Sequence, residues 1–168
     1  MKTMKALVKA KPGAYHTMGQ TAEAVARRYG VTREEQDRFA LWSHRKAIAA
    51  REAGRFAEQV VPVPTRVKDE EGVWHEVTVT QDEGPRADTS LERLATLKTV
   101  FAEDEAATVT AGNSSPLNDG ASMTVLMSEE DARARGLKPL VRMVQAAVAG
   151  VPPEVMGIGP VPAIRKLL

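Results

Sequence analysis

The spacing of apolar residues predicts an α/β fold for this sequence, on three observations. Apolar and small residues recur at helical spacing from Met18, and a second helical pattern starts at Thr32. Residues 73–80 instead alternate in the manner of a strand with one half-buried face. A short apolar run at 123–127 is typical of a buried strand. Helices and strands therefore follow one another along the chain, which is the pattern of an α/β protein.

The first part of the chain contains two helices with recognisable ends. Residues 1–17 have no clear periodicity and contain a Pro-Gly turn signal, which predicts an irregular lead-in. The first helix follows and ends at Gly30, because glycine suits the position just after a helix. Thr32 and Glu35 form a capping box that starts the second helix, and Gly54 ends it.

The hydrophobic period changes after Phe56. Residues 60–63 predict a short edge strand, since the prolines at 62 and 64 cannot donate to a central ladder. A turn at 68–72 leads into the alternating strand, which completes a hairpin. Residues 81–88 form a polar loop, and residues 90–97 open a helix with leucines on one side.

The last third of the chain begins with a segment of different composition. Residues 108–121 are dense in small and turn-forming residues. After the apolar strand at 123–127, Ser128 and Asp131 start a helix that ends at Gly136. Residues 140–151 predict a further strand, and residues 162–168 predict the first turns of a helix that is still apolar where the sequence stops.

Composition narrows the classes of function. The 168 residues and 18.2 kDa suit one compact domain, and 23 Lys and Arg against 22 Asp and Glu leave a net charge of +1. That balance argues against a general nucleic-acid binder. No apolar run reaches the roughly 18 to 20 residues that cross a bilayer, and the N-terminal apolar stretch is too short for a signal peptide. We therefore expect a cytoplasmic protein with neither a nucleic-acid nor a membrane partner.

The sequence contains no cysteine. This excludes a disulfide, a thiolate zinc site and a cysteine nucleophile within these residues. The three histidines, His16, His44 and His75, lie far apart, so the sequence gives no support for a histidine metal site. Any chemistry of these residues must therefore come from hydroxyls, carboxylates, single histidines or the main chain, and we predict no metal ligand in this chain.

Three stretches together resemble the thiolases, the acyltransferases that make or cleave 3-ketoacyl-CoA. The first is Met-Gly-Gln-Thr-Ala-Glu at 18–23, followed by Thr-Arg-Glu-Glu-Gln-Asp at 32–37 and Phe-Ala at 39–40. The second is Thr-Ala-Gly-Asn-Ser-Ser-Pro-Leu-Asn-Asp-Gly-Ala at 110–121, and the third is Met-Gly-Ile-Gly-Pro-Val-Pro-Ala at 156–163. They occur in the family's order and at about its spacing, and the resemblance covers residues 18–168.

The resemblance implies a partial thiolase fold, because thiolases are more than twice as long as this chain. It assigns residues 18–105 to the loop domain, 106–137 to the end of the N-terminal half and 138–168 to the start of the C-terminal half. The family's nucleophilic cysteine lies upstream of these segments. Its Asn-Glu-Ala-Phe turn, its Gly-His-Pro histidine and its second cysteine lie downstream. The resemblance therefore implies an internal or truncated segment with no catalytic residue of its own.

The feature that carries over by resemblance is a groove for coenzyme A, which is a thioester substrate here and not a bound cofactor. Arg86 matches a position near the nucleotide end, and Met18 matches one near the acyl and pantetheine end. The other matched positions line the narrow pantetheine channel: Phe101, Ala111, Ser114, Ser115 and Leu117. The chain departs from the family pattern in a longer, acidic segment at 101–108 and in an arginine at position 93.

The alternatives to this groove are plain structural roles. Ser115 suits a turn, Arg86 a solvated loop and Met18 a core position. The resemblance implies acyl transfer between coenzyme A thioesters once the missing catalytic parts are supplied. A non-catalytic coenzyme A or acyl-CoA binding module and an association scaffold stay open, as do chain-length preference and metabolic direction. The expected partners are acyl-CoA and either further copies of the chain or a complementary thiolase polypeptide.

Overall fold

The computed structural model describes residues 4–168, which form two compact units. The first unit runs up to Gly30 and resumes at Leu117, and the second extends from Val31 to Pro116. The helices and strands, in chain order, are α1 Lys5–Ala10, α2 Met18–Tyr29, α3 Arg33–Glu52, β1 Val63–Lys68, β2 Trp74–Val79, α4 Leu91–Ala95, α5 Glu129–Ala134 and α6 Pro160–Leu167. Short 3-10 turns cover Pro12–Tyr15 and Pro153–Ile158. None of the helices in this described part is both long and apolar enough to span a bilayer.

The second unit is built on α3. Thr32 and Glu35 cap its N-terminus reciprocally, because each side chain bonds the main-chain N–H of the other. Ala40 and Leu41 on this helix are buried against Leu94 of α4, with Leu91 packed beside them. β1 and β2 form an antiparallel hairpin whose pairing runs from Val63 opposite Val79 to Lys68 opposite Trp74.

The first unit packs α2 against the 3-10 turn Pro153–Ile158. Val155 in that turn and Ala26 on α2 are buried. Gly157 lies close to the helix, since a Cβ built there would be 3.6 Å from Cγ2 of Val25. The helix itself ends at Gly30 in the left-handed conformation, with φ of 67°, as glycine allows.

The predicted helices at 18–30, from Thr32, at 90–97 and after Ser128 are confirmed. Thr32, Ser90 and Ser128 each accept a main-chain N–H as N-cap, so local side-chain chemistry sets these helix starts. The hairpin is confirmed as well, with its first strand displaced: it begins at Val63 and not at residue 60.

The irregular lead-in predicted for residues 1–17 is wrong where the structure describes it. Residues 1–3 lie outside the described part, and α1 and a 3-10 turn occupy much of the remainder. The sequence contains no cap signal for this helix, because its N-cap residue is Met4, whose side chain makes no capping hydrogen bond. Alanine, leucine and lysine nevertheless favour a helix, and it ends before Pro12.

The strands predicted at 123–127 and 140–151 are also wrong, because neither segment forms a strand in the structure. Met123, Leu140 and Val144 expose 93%, 98% and 81% of their surface. A strand requires a neighbour to pair with, and these segments find none among residues 4–168. The apolar pattern is therefore present, while the pairing that it predicts is absent from residues 4–168.

Candidate active-site loop and its supports

The loop at residues 110–115 contains three of the residues predicted to contact coenzyme A, and hydrogen bonds within the loop fix its conformation. Thr110 is completely buried, and its N–H donates to Oδ1 of Asn113 at 2.8 Å. The Thr110 hydroxyl oxygen accepts the main-chain N–H groups of Gly112, at 3.2 Å, and Asn113, at 3.3 Å. These bonds satisfy the polar groups of a tight turn without a ligand.

A buried carboxylate fastens this loop to α3. Nδ2 of Asn113 donates to Oδ1 of Asp37 at 3.0 Å and to the carbonyl oxygen of Thr108 at 3.1 Å. Gln36, the neighbour of Asp37, donates from Nε2 to the Thr108 hydroxyl at 3.0 Å. Asp37 is only 3% exposed, and a buried charge persists only when it is paired. The loop is therefore held by a side chain 76 residues earlier in the sequence.

Arg33 supplies the charge that Asp37 needs. Its Nε lies 2.8 Å from Oδ2 of Asp37, one helical turn along α3. Its Nη2 donates to the carbonyl oxygens of Leu94, at 2.6 Å, and Leu97, at 3.1 Å. Leu94 lies in the last turn of α4, where its carbonyl also accepts the N–H of Leu97, and Leu97 lies two residues beyond the end of that helix. One arginine thus joins α3, the buried carboxylate and α4.

Gly112 lets the loop approach α4 closely. A Cβ built at this position would lie 2.4 Å from Cδ1 of Leu97 and 2.6 Å from Cδ2 of Leu94. Both distances are far below a normal carbon–carbon contact. A Cβ here would have to displace Leu94, which is buried, so packing favours glycine; a left-handed backbone does not, since the φ of Gly112 is not positive.

The supports leave one face of the loop open. Ala111 and Ser115 are exposed and Ser114 is half-buried. Within the described residues, neither serine hydroxyl has a hydrogen-bond partner. A fixed turn therefore presents a small side chain and two unoccupied hydroxyls.

Phe101 follows a short pairing that runs beside this loop. Thr99 and Thr110 form an isolated antiparallel bridge, and the N–H of Val100 donates to the carbonyl of Val109 at 3.1 Å. Phe101 comes next and is 37% exposed. The structure thus brings its segment alongside the start of the loop.

Arg86 lies in the same unit, in the segment that precedes α4. Its main-chain N–H donates to Nδ1 of His44 on α3 at 3.1 Å, and the residue is exposed. Nearby, Arg93 donates to the carboxylate of Asp88 and to its carbonyl oxygen, at 2.5 and 2.8 Å. The hydrogen bond from Arg93 holds the pKa of the Asp88 carboxyl below its ordinary value, and the charge of Arg86 adds to the effect. Arg93 is therefore engaged by Asp88.

The other two predicted contacts belong to the first unit. Met18 opens α2 and is 68% exposed, so the alternative role as a core residue is wrong. Leu117 is fully exposed. The second unit holds the remaining five.

Sequence reasoning found the loop and missed its supports. Arg33, Asp37 and His44 lie on a helix whose pattern indicated only a packing face. Nothing local in the sequence marks a partner 42 to 76 residues away. Across residues 4–168, no three His, Asp or Glu side chains gather as metal ligands would.

Comparison with known proteins gives one family. The model of the thiolase N-terminal domain family matches residues 2–130. The chain is 48% identical over 167 residues to the 3-ketoacyl-CoA thiolase of Bacillus subtilis (strain 168), covering 97% of this chain and 42% of that protein. It is 53% identical over 156 residues to the acetyl-CoA acetyltransferase of Rhizobium meliloti (strain 1021), and this match covers 92% of this chain and 37% of that protein.

Solved structures agree with the sequence comparison. The crystal structure of the Bacillus anthracis acetyl-CoA acetyltransferase matches with a TM-score of 0.81 and 46% identity, over 99% of this chain and 42% of that one. The structure of the acetyl-CoA acetyltransferase from Syntrophomonas wolfei matches with a TM-score of 0.80 and 38% identity, over 100% of this chain and 41% of that one. The chain thus spans about two fifths of the length of these relatives. On the family match and on this fold, the chain belongs to the thiolase family and adopts part of the α/β thiolase fold.

Proposed function

We propose that this chain supplies one wall of the coenzyme A groove of an acyltransferase that moves acyl groups between coenzyme A thioesters. The observation that carries the proposal is the loop at 110–115, which is fixed by buried bonds yet leaves the hydroxyls of Ser114 and Ser115 open. A preformed turn with free donors costs little ordering when it binds a ligand. The thiolase names of the relatives support the same ligand.

The chemistry of the loop suits the pantetheine arm. That arm is slender and carries two amides, which hydroxyl groups can bond from either side. Ala111 and Gly112 keep side chains out of its path. Arg86 is exposed, and its guanidinium has no hydrogen-bond partner in the described residues, so it is free to bind a phosphate or stack on adenine.

Calorimetric titration with coenzyme A tests the groove. We expect affinity of roughly millimolar at best, because one wall makes few contacts while the full cost of immobilising the ligand remains. Ser115→Ala and Arg86→Ala should each weaken binding. Ser122→Ala and Arg55→Ala, which alter exposed residues of the same types, should leave it unchanged. Tight binding that ignores the first pair of changes would reject the assigned groove.

We also propose that this chain is catalytically silent on its own. Attack on a thioester in this family requires a thiolate, and these 168 residues contain no cysteine. Pure protein should show no thiolysis or condensation of acetoacetyl-CoA above the uncatalysed rate. Turnover would refute the proposal and require a serine or histidine mechanism.

The partner we propose is a second polypeptide, or another copy, that covers the segments at 123–127 and 140–151. Val125, Leu126 and Val148 expose 75%, 75% and 85% of their surface, and clusters of apolar side chains exposed to this extent are typical of surfaces that bind another protein. Sedimentation at micromolar concentration should show association, and a strictly monomeric protein would contradict it. A chain that binds coenzyme A but gains no activity with complementary thiolase segments would favour the alternative, a non-catalytic binding module.

A further inference from the structure

His44 contacts the main chain of the segment that carries Arg86. The imidazole Nδ1 lies 3.1 Å from the main-chain nitrogen of Arg86, which is 42 residues away in sequence. A main-chain N–H can only donate, so Nδ1 accepts and carries no proton. The contact is therefore a directional bond that depends on the imidazole of His44.

The segment around Arg86 has few other attachments. It forms no helix or strand, and a Cβ built on Gly84 would meet nothing within 4 Å. Arg51 reaches the carbonyl of Asp82 only at 3.5 Å. In the described chain, His44 is the side chain that bonds the main chain of Arg86 itself. Arg93 ties the segment to α4 two residues further on, at Asp88, so the His44 bond is what fixes the main chain at Arg86 itself.

The place of His44 on α3 relates it to the loop at 110–115. Asp37 and His44 are about two turns apart, roughly 10 Å along the helix axis, and face the same side. Asp37 holds the serine loop through Asn113, and His44 holds Arg86. One rigid helix thus sets the position of a hydroxyl-bearing loop and that of a cation. A long ligand with amides at one end and phosphates at the other would thus meet two contacts that are held by the same helix.

We propose that His44 is a positioning residue that fixes Arg86 for the phosphate-bearing nucleotide end of coenzyme A. The inference rests on the proposed coenzyme A groove. His44 itself touches no ligand: it orders the backbone beforehand, so that less freedom is lost when the ligand binds.

Titration of the 168-residue chain with coenzyme A and with pantetheine, which lacks the nucleotide, tests this role. Amide chemical shifts of Ser115 give the affinity for both ligands. His44→Ala should weaken coenzyme A about fivefold, the change that one ordinary hydrogen bond makes in an equilibrium constant, and leave pantetheine unchanged. His44→Asn, whose Oδ1 can accept in place of Nδ1, should retain most of the affinity. His75→Ala on β2 is the matched control and should change neither ligand.

Arg86→Ala, alone and combined with His44→Ala, completes a double-mutant cycle. If His44 acts through Arg86, then His44→Ala should cause no further loss in the Arg86→Ala background. Hydrogen exchange of the Arg86 amide should also be faster in His44→Ala than in the unaltered chain. Equal weakening of both ligands, or a full fivefold loss in the Arg86→Ala background, would overturn the positioning role and leave the groove standing. Absence of coenzyme A binding by the unaltered chain would overturn the groove and the inference with it.

Discussion

Replacing Asn113 with alanine should destabilise the second unit by about 3 kcal/mol. The side chain makes three hydrogen bonds: to the Asp37 carboxylate, to the Thr108 carbonyl and from the Thr110 N–H. Bonds to neutral partners contribute about 1 kcal/mol each, and a bond to a buried charge about 1.5 to 3 kcal/mol. Water entering the half-buried site offsets part of the loss. A change of about 3 kcal/mol is a large fraction of a typical folding free energy of roughly 5 to 15 kcal/mol.

Urea unfolding followed by tryptophan fluorescence measures this loss directly. Trp42 and Trp74 are the two tryptophans of the sequence, and both lie in the second unit. The Asn113→Ala midpoint should therefore shift to clearly lower urea. Asn118→Ala is the matched control, because that asparagine is exposed and should leave the midpoint unchanged. An Asn113→Ala midpoint equal to that of the unaltered chain would refute the bracing of the loop by Asp37.

Two further changes probe packing and capping. Gly112→Ala should destabilise the second unit by about 1 to 3 kcal/mol, since its Cβ would lie 2.4 Å from Leu97, whereas Gly84→Ala should be neutral by the same urea assay. Thr32→Ala should cost about 1 kcal/mol and lower the helical circular dichroism of α3; an unchanged spectrum and midpoint would contradict the cap. The hydrogen bond from the Thr32 N–H lowers the pKa of Glu35, so the stabilisation by this carboxylate is complete above its ordinary pKa and lost as pH falls through the lowered one. Stability that is flat across that acid range in the unaltered chain, or equally acid-sensitive in Glu35→Gln, would contradict this.

Local chemistry explains which elements the sequence could predict. The capping box at Thr32 and the serine caps at Ser90 and Ser128 act within three residues, so pattern reasoning found those helices. The short helix α1 has no side-chain cap and went unseen. At 123–127 and 140–151 the sequence predicts strands that the structure does not form. A strand depends on a neighbouring strand, and the apolar pattern of a segment does not show whether that neighbour is present.

The candidate site also has local features that the sequence predicts and long-range contacts that it does not. The turn-forming character of residues 110–115 and local bonding by Asn113 follow from residue types that favour such turns. The bond from Asn113 to Asp37 and the bond from Arg86 to His44 span 76 and 42 residues. Such partners depend on how the chain folds back on itself, so only the structure brings them together.

The central claim is that the loop at 110–115 and Arg86 form a coenzyme A-binding wall. Its most direct test is the change in amide chemical shifts of the 168-residue chain on addition of coenzyme A. The account predicts shifts at Ala111, Ser114, Ser115 and Arg86, saturating in the millimolar range, with little change at the hairpin of β1 and β2. Saturating shifts confined to other parts of the chain, or no shifts at several times that concentration, would contradict it.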